Sequence, residues 1–391
     1  MENSSEKYRI SLRNAFILLG SMMSVMAGAT ISPALPEMAA YFEGQPNSEF
    51  LVKIMLTVPS LFIAIFSPLA GFGLDRWGRK AMLLPAIALY GIAGASGFFL
   101  DDLYLILLGR AFLGIAVAFI MSGFITVIGD LFEGERLNRF MGIQAAFMSF
   151  GGVVFLMFGG ILADVEWRHL FLLYLFAFMI FPGIALFLRE TRSPEADRSK
   201  REIPAGKIIK SAGWIYTLAF FMQAIFLMVP VQLPFVFADA DISNTNMGFS
   251  LSFWILCSAV ISLFYKKFRS RFSFNAIFSI AFLIWAAGYF LIAININYWV
   301  LMAGLMLSGM GNGLALPNIK VNLLAVVDMQ YRGRAVGILT MFFYFGQFFS
   351  PILFSVAFGD SIKAGFAGVA GLMAAGAVLF FYMSAGKSKN K

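Results

Sequence analysis

The chain has 391 residues, 60% of them hydrophobic and 13% charged, and its bases exceed its acids by eight. An ordinary soluble domain carries roughly 25% charged residues, so these charges are too few to cover soluble surfaces and lipid must be the solvent. A single cysteine, Cys257, and a single histidine, His169, exclude a disulfide framework and any Cys-based or multi-histidine metal centre.

A helix crossing a hydrocarbon core needs about 20 mainly apolar residues. Twelve such runs occur in chain order, at 14–40, 50–73, 81–100, 103–127, 140–163, 169–188, 211–237, 247–265, 273–294, 298–322, 335–358 and 364–385. They are continuously apolar, whereas barrel strands alternate over about ten residues, so an all-α integral membrane fold is expected. The first run follows basic residues but is too long for a signal peptide. The longest polar stretch, Arg189 to Lys210, holds Pro194, Pro204 and seven bases, and separates six spans from six. The expected organisation is an N-terminal six-helix bundle over 1–188, a cytoplasmic linker over 189–210 and a C-terminal six-helix bundle over 211–391.

Of the 29 bases, 24 lie at the two ends or in alternate loops on the same side, while only Lys53, Arg168 and Lys363 lie in the opposite loops. This asymmetry predicts both termini on the cytoplasmic side of the cell (inner) membrane. It also accounts for the net charge of +8 by topology, so no nucleic-acid partner is expected.

Equal halves invite a search for an internal repeat. Span 4 is followed by Asp130 and then Arg139-Phe-Met-Gly142; span 10 is followed by Asp328 and then Arg334-Ala-Val-Gly337. Each loop opens on an acid and closes on Arg-x-x-Gly, about 195 positions apart, which predicts two pseudo-symmetric halves. The turn after span 2 reads Gly71-Phe-Gly-Leu-Asp75-Arg76-Trp-Gly78-Arg79-Lys80, and span 4 contains Arg110-x-x-x-Gly114. With twelve spans, these motifs resemble the major facilitator superfamily over essentially the whole chain. Pro33-Ala-Leu-Pro36 in span 1 is similar to the drug:proton antiporter branch. Two departures stand against that branch: span 1 holds no acid over Met22 to Thr30, and span 5 has Phe155-Leu156 where the branch has Gly-Pro.

The resemblance implies a monomeric secondary transporter, without cofactor or metal, that acts on a small-molecule solute and protons within the lipid bilayer. It implies a gate built from Gly71, Asp75, Arg76, Gly78, Arg79 and Asp130, with Asp75 facing the start of helix 11 and Arg76 or Arg79 pairing with Asp130. Arg110 lies within a span, where a guanidinium must face protein and find a partner. It either contacts solute or tunes a carboxylate, or else it is a structural arginine tied to backbone carbonyls. The proton carrier is expected among Glu37, Asp130 and Arg110. A central cavity would draw on Met26, Arg110, Gln144, Gln223, Phe226, Asn312, Asn318, Tyr344 and Gln347, each of which has helix packing as its alternative role. One fixed base and no embedded acid point to a neutral or anionic amphipathic solute. The expected activity is proton-coupled export by alternating access. The alternatives are symport or facilitated passage of an organic anion and, in another class, a non-transporting receptor or assembly factor. No enzyme is expected, because no phosphate-binding loop or embedded nucleophile with a base is visible.

Overall fold

A computed structural model describes residues 4–190, 205–294, 297–359 and 361–388, and most of the linker lies outside the described residues. Among the described residues, twelve helices are long and apolar enough to cross a membrane. They are α1 (Ser11–Tyr41), α2 (Ser48–Trp77), α3 (Arg79–Phe98), α4 (Leu103–Leu131), α5 (Gly134–Ala163), α6 (Trp167–Phe187), α7 (Ala212–Asp239), α8 (Asn244–Leu263), α9 (Phe274–Ile294), α10 (Tyr298–Val326), α11 (Arg332–Phe358) and α12 (Ile362–Ala385). The helices outrun the apolar runs at several ends: α2 continues through Asp75 and Arg76 to Trp77, and α5 starts at Gly134. A helix satisfies its own backbone hydrogen bonds, so it need not stop where the side chains turn polar.

The chain divides into two compact units. One comprises residues 1–202 with 237–248, and the other 203–236 with 249–391. Segment 237–248, which the expected boundaries place in the second bundle, therefore packs with the first unit. In the first unit α2 and α3 pack on α4, and α1 packs on α5 and α6. In the second, α9 packs against α10 and α12.

The internal repeat extends to the level of atomic packing. Helices α4 and α10 are both 29 residues long, and each opens on an Asx cap: Asp102 accepts from Leu105 N at 2.9 Å, and Asn297 from Val300 N at 3.0 Å. A Cβ on Gly114 would lie 2.5 Å from the carbonyl oxygen of Pro59, and one on Gly309 2.5 Å from that of Trp254. In both glycine pairings the two halves are related by the same offset of 195 residues. Glycine is required at both points because the neighbouring backbone occupies the space a side chain would need. The Gly309-Met-Gly-Asn-Gly313 segment is a packing seam: a Cβ on Gly311 would meet α9 at Ala281 O, and one on Gly313 would meet α8 at Ser258 O.

Candidate functional site

The first constellation sits where α2 gives way to α3. The reversal occurs at Gly78 alone, at φ +104°, while Gly71 and Gly73 lie within α2. A Cβ on Gly78 would also come within 2.5 Å of the Glu190 carboxylate, so both conformation and space demand glycine. The first turn of α3 holds Arg79 and Lys80 but no acid of its own. Glu190, arriving from beyond α6, supplies the anion: it accepts from Lys80 N at 3.1 Å and Ala81 N at 2.9 Å. That satisfies two of the helix's orphan donors and complements its dipole.

Arg79, only 3% exposed, joins the rest. Its Nη1 donates to Asp75 Oδ1 at 2.8 Å and to Leu74 O at 2.6 Å, and its Nε to Asp130 Oδ2 at 3.1 Å. Arg79 is therefore the base that meets Asp130. Arg76 instead lies 5.9 Å from the ring centroids of both Phe72 and Trp77. Lys80 Nζ donates to Ala185 O, so α2, α3, α4 and the end of α6 are fastened at one point.

Arg110 lies elsewhere, at 1% exposure. Its Nε donates to Met55 O at 3.2 Å, its Nη2 to Ala27 O at 2.6 Å and its Nη1 to Tyr174 Oη at 2.6 Å. Two helix breaks explain these partners. Pro59 has no N–H, so the carbonyl four residues earlier, Met55, loses its helical donor. The first α-helical segment of α1 ends at Ala29, ahead of the Ser32–Ala34 3-10 turn, which deprives Ala27 in the same way. Arg110 makes no ion pair among the described residues, and Tyr174, which sequence reasoning missed, shares its load. Tyr90 completes the cluster by donating to Met23 O at 2.8 Å.

At the far end of α1 a second acidic constellation gathers on segment 237–248. Asn244 Nδ2 donates to Glu37 Oε1, Asn244 N to Asp164 Oδ1 at 2.8 Å, and Thr245 N to Asp164 Oδ2 at 3.0 Å. Asp164 thus caps the start of α8 with both oxygens. Glycines of α5 let the backbones meet: a Cβ on Gly159 would fall 2.6 Å from Thr30 O, and one on Gly160 2.4 Å from Asn244 O. Replacing Gly160 by Leu should lift segment 237–248 off α5. Hydrogen exchange at the amides of Asn244 and Thr245 should then accelerate at least tenfold, whereas unchanged protection would show that the caps survive without this contact.

The remaining predicted residues fall into separate places. Met26, 1% exposed, is in the core of the first unit. Gln144 Nε2 donates to Ser21 Oγ at 2.8 Å beside a cavity. In the second unit, Gln347 Nε2 donates to Gln223 Oε1 at 3.0 Å, joining α11 to α7, and Phe226 stacks on Trp254 with centroids 4.5 Å apart. Asn312 Nδ2 donates to Ser258 Oγ at 3.1 Å. Asn318 accepts from Tyr265 Oη at 3.1 Å and donates to Phe274 O at 3.0 Å, while Tyr344 is half-buried on α11.

Twelve membrane helices in two related halves, with a basic turn after α2 and a buried arginine in α4, define a multi-pass membrane transporter. The family model of the Major Facilitator Superfamily matches residues 17–240 and 212–391, and the chain belongs to that family. It is a transporter, not an enzyme. Its relatives include the class H tetracycline resistance protein of Pasteurella multocida, 23% identical over 88% of this chain and 89% of that protein. The bacillibactin exporter of Bacillus subtilis (strain 168) is 24% identical over 88% of this chain and 90% of its own length. The crystal structure of a D-xylose-proton symporter superposes with a TM-score of 0.77 at 16% identity, covering 96% of this chain and 97% of that one.

Proposed function

We propose that this transporter exports a small amphipathic solute in exchange for protons, by alternating access, as a monomer in the cell (inner) membrane with both termini cytoplasmic. The placement of 24 of 29 bases supports that orientation. Two relatives are named for resistance and export, which favours the outward direction. The observation that carries the coupling is the convergence of two acids, Glu37 and Asp164, on Asn244. A hydrogen bond to an ionised carboxylate is about twice as strong as one to a neutral acceptor. A proton taken up by Glu37 therefore loosens its hold on Asn244 and relieves its repulsion from Asp164. Proton uptake at this end of the first unit would thereby favour release of segment 237–248.

At the other end, Asp75, Arg79 and Asp130 form the second latch. In this reading these three residues are the cytoplasmic gate, with Asp75 as its exposed anion. A membrane potential supplies about 2.3 kcal/mol per charge per 100 mV, enough to bias such a cycle. The anion-transport alternative drew its support from Arg110, whose N–H groups meet two backbone carbonyls and a tyrosine hydroxyl.

Glu37→Gln retains an acceptor for Asn244 and removes the titrating proton. Its transport should lose its pH dependence while solute binding persists. An unaltered pH profile in this variant would remove Glu37 from the coupling.

A further inference from the structure

The turn between α8 and α9 carries Lys266, Lys267, Arg269 and Arg271 within six residues, and no acid stands in the sequence between Asp241 and Asp328. The second unit as a whole holds 13 of the 29 bases but only two of the 21 acids, Asp328 and Asp360. The internal repeat sharpens the contrast. In the first unit the basic turn after α2 meets carboxylates: Asp75 and Asp130 hold Arg79, and Glu190 caps the start of α3. At the offset of 195 residues that relates Gly114 to Gly309, Ser270 stands for Asp75 and Phe274 for Arg79. The Arg269 guanidinium lies 3.9 Å from the centroid of the Phe274 ring and donates to Phe272 O at 3.1 Å. Lys266, Lys267 and Arg271 are exposed, and none of them makes an ion pair among the described residues.

The turn is fixed to its neighbours. It opens with a short helix, Tyr265–Arg269, and the buried Tyr265 donates through Oη to Asn318 Oδ1 of α10 at 3.1 Å. Asn318 Nδ2 donates in turn to Phe274 O at 3.0 Å, and Ser273 Oγ lies 3.0 Å from Ser384 Oγ of α12. Large apolar side chains stand exposed among the bases: Leu263 at 80%, Phe264 at 51% and Phe272 at 41%. One membrane span ends at Leu263 and the next begins at Phe274, so the turn lies at the bilayer surface. There acyl chains cover apolar side chains while bases reach the headgroups.

We infer that the α8–α9 turn is a binding site for an anionic phospholipid, whose phosphate replaces the carboxylates missing from this half of the repeat while its chains lie on Leu263, Phe264 and Phe272. A base beside a membrane helix contributes about fivefold to the affinity for an anionic headgroup. Holding the bases on a pinned turn lowers the cost of ordering them around the lipid. The site goes beyond the transport reading and does not depend on the solute, the direction or the coupling.

The test titrates phosphatidylglycerol and phosphatidylcholine into the purified full-length protein in neutral detergent and counts bound lipid by native mass spectrometry. A first phosphatidylglycerol should bind saturably and at least about tenfold more tightly than phosphatidylcholine. Lys266→Gln alone should weaken it about fivefold, and Lys266→Gln with Lys267→Gln and Arg271→Gln about a hundredfold. These side chains are exposed, so the unfolding temperature without lipid should stay at its parental value. Arg136→Gln with Arg139→Gln and Arg332→Gln removes the same charge from loops that hold Glu133, Glu135 and Asp328, and should weaken binding less than about fivefold. A photoreactive phosphatidylglycerol should label residues 263–274. Equal affinity for the two lipids, equal losses in the two triple variants, or labelling confined to other segments would overturn the assignment. Glycerophosphoglycerol, the same headgroup without chains, separates a lipid from a soluble anion. It should fail to displace bound phosphatidylglycerol, and displacement would give the site to a soluble phosphate and overturn the lipid assignment.

Discussion

Arg110→Met should lower the stability of the purified protein by about 3 kcal/mol or more and reduce the yield of monodisperse material, because it preserves bulk while removing every donor. Three acceptors then lose their partner inside the first unit: Met55 O, Ala27 O and Tyr174 Oη. Each buried unsatisfied group costs about 1–3 kcal/mol, and at 1% exposure of the arginine no water replaces the lost bonds. Arg110→Lys should recover only part of the loss, since an ammonium cannot reproduce the planar fork that spans α1, α2 and α6. Thermal unfolding followed by size-exclusion chromatography is the measurement. If Arg110→Met is as stable as the parent but cannot bind solute, the arginine belongs to the substrate and not to the helix breaks at Pro59 and Ala29.

Asp75→Asn should behave in the opposite way: turnover falls at least tenfold while stability and solute affinity stay near their parental values. The carboxylate is 59% exposed, and exposed pairs contribute at most about 1 kcal/mol. Arg79 would keep Asp130 and the Leu74 carbonyl after the change. What disappears is an anion at the latch, so the loss should be kinetic. Arg79→Met is the contrasting case, since it strands Asp130 and should destabilise the protein as well. Parental turnover in Asp75→Asn, measured by solute counterflow in proteoliposomes, would remove Asp75 from the gate.

The membrane helices were legible because each needs an unbroken apolar run, and the halves because Arg139-x-x-Gly142 recurs at Arg334-x-x-Gly337. Helix ends were less so: polar residues such as Asp75 and Arg76 extend α2 beyond its lipid-soluble stretch. Within the sites, legibility followed locality. The choice between Arg76 and Arg79 for Asp130 depends on how Gly78 turns the chain, which a residue pattern does not specify. Glu190 had a usable signal: the first turn of α3 is basic and lacks a cap of its own, so some distant acid had to serve it. Pro59 likewise announces a carbonyl at Met55 in want of a donor, but only the packing of α4 against α2 identifies Arg110 as that donor. The attachment of segment 237–248 to Asp164 and Glu37 joins residues some 80 and 200 positions apart. Nothing in the local sequence of either partner signals that contact.

Solute-driven proton movement is the direct test of coupling between solute and proton. The protein is reconstituted into proteoliposomes with an entrapped pH-sensitive dye, and an inward gradient of a solute that it binds saturably is imposed. Protons should move opposite to the solute, at a rate that saturates with solute concentration, is strongly slowed in Asp75→Asn and is absent from protein-free vesicles. Carrier-mediated solute flux with no accompanying proton movement, or with protons moving in the same direction, would contradict it.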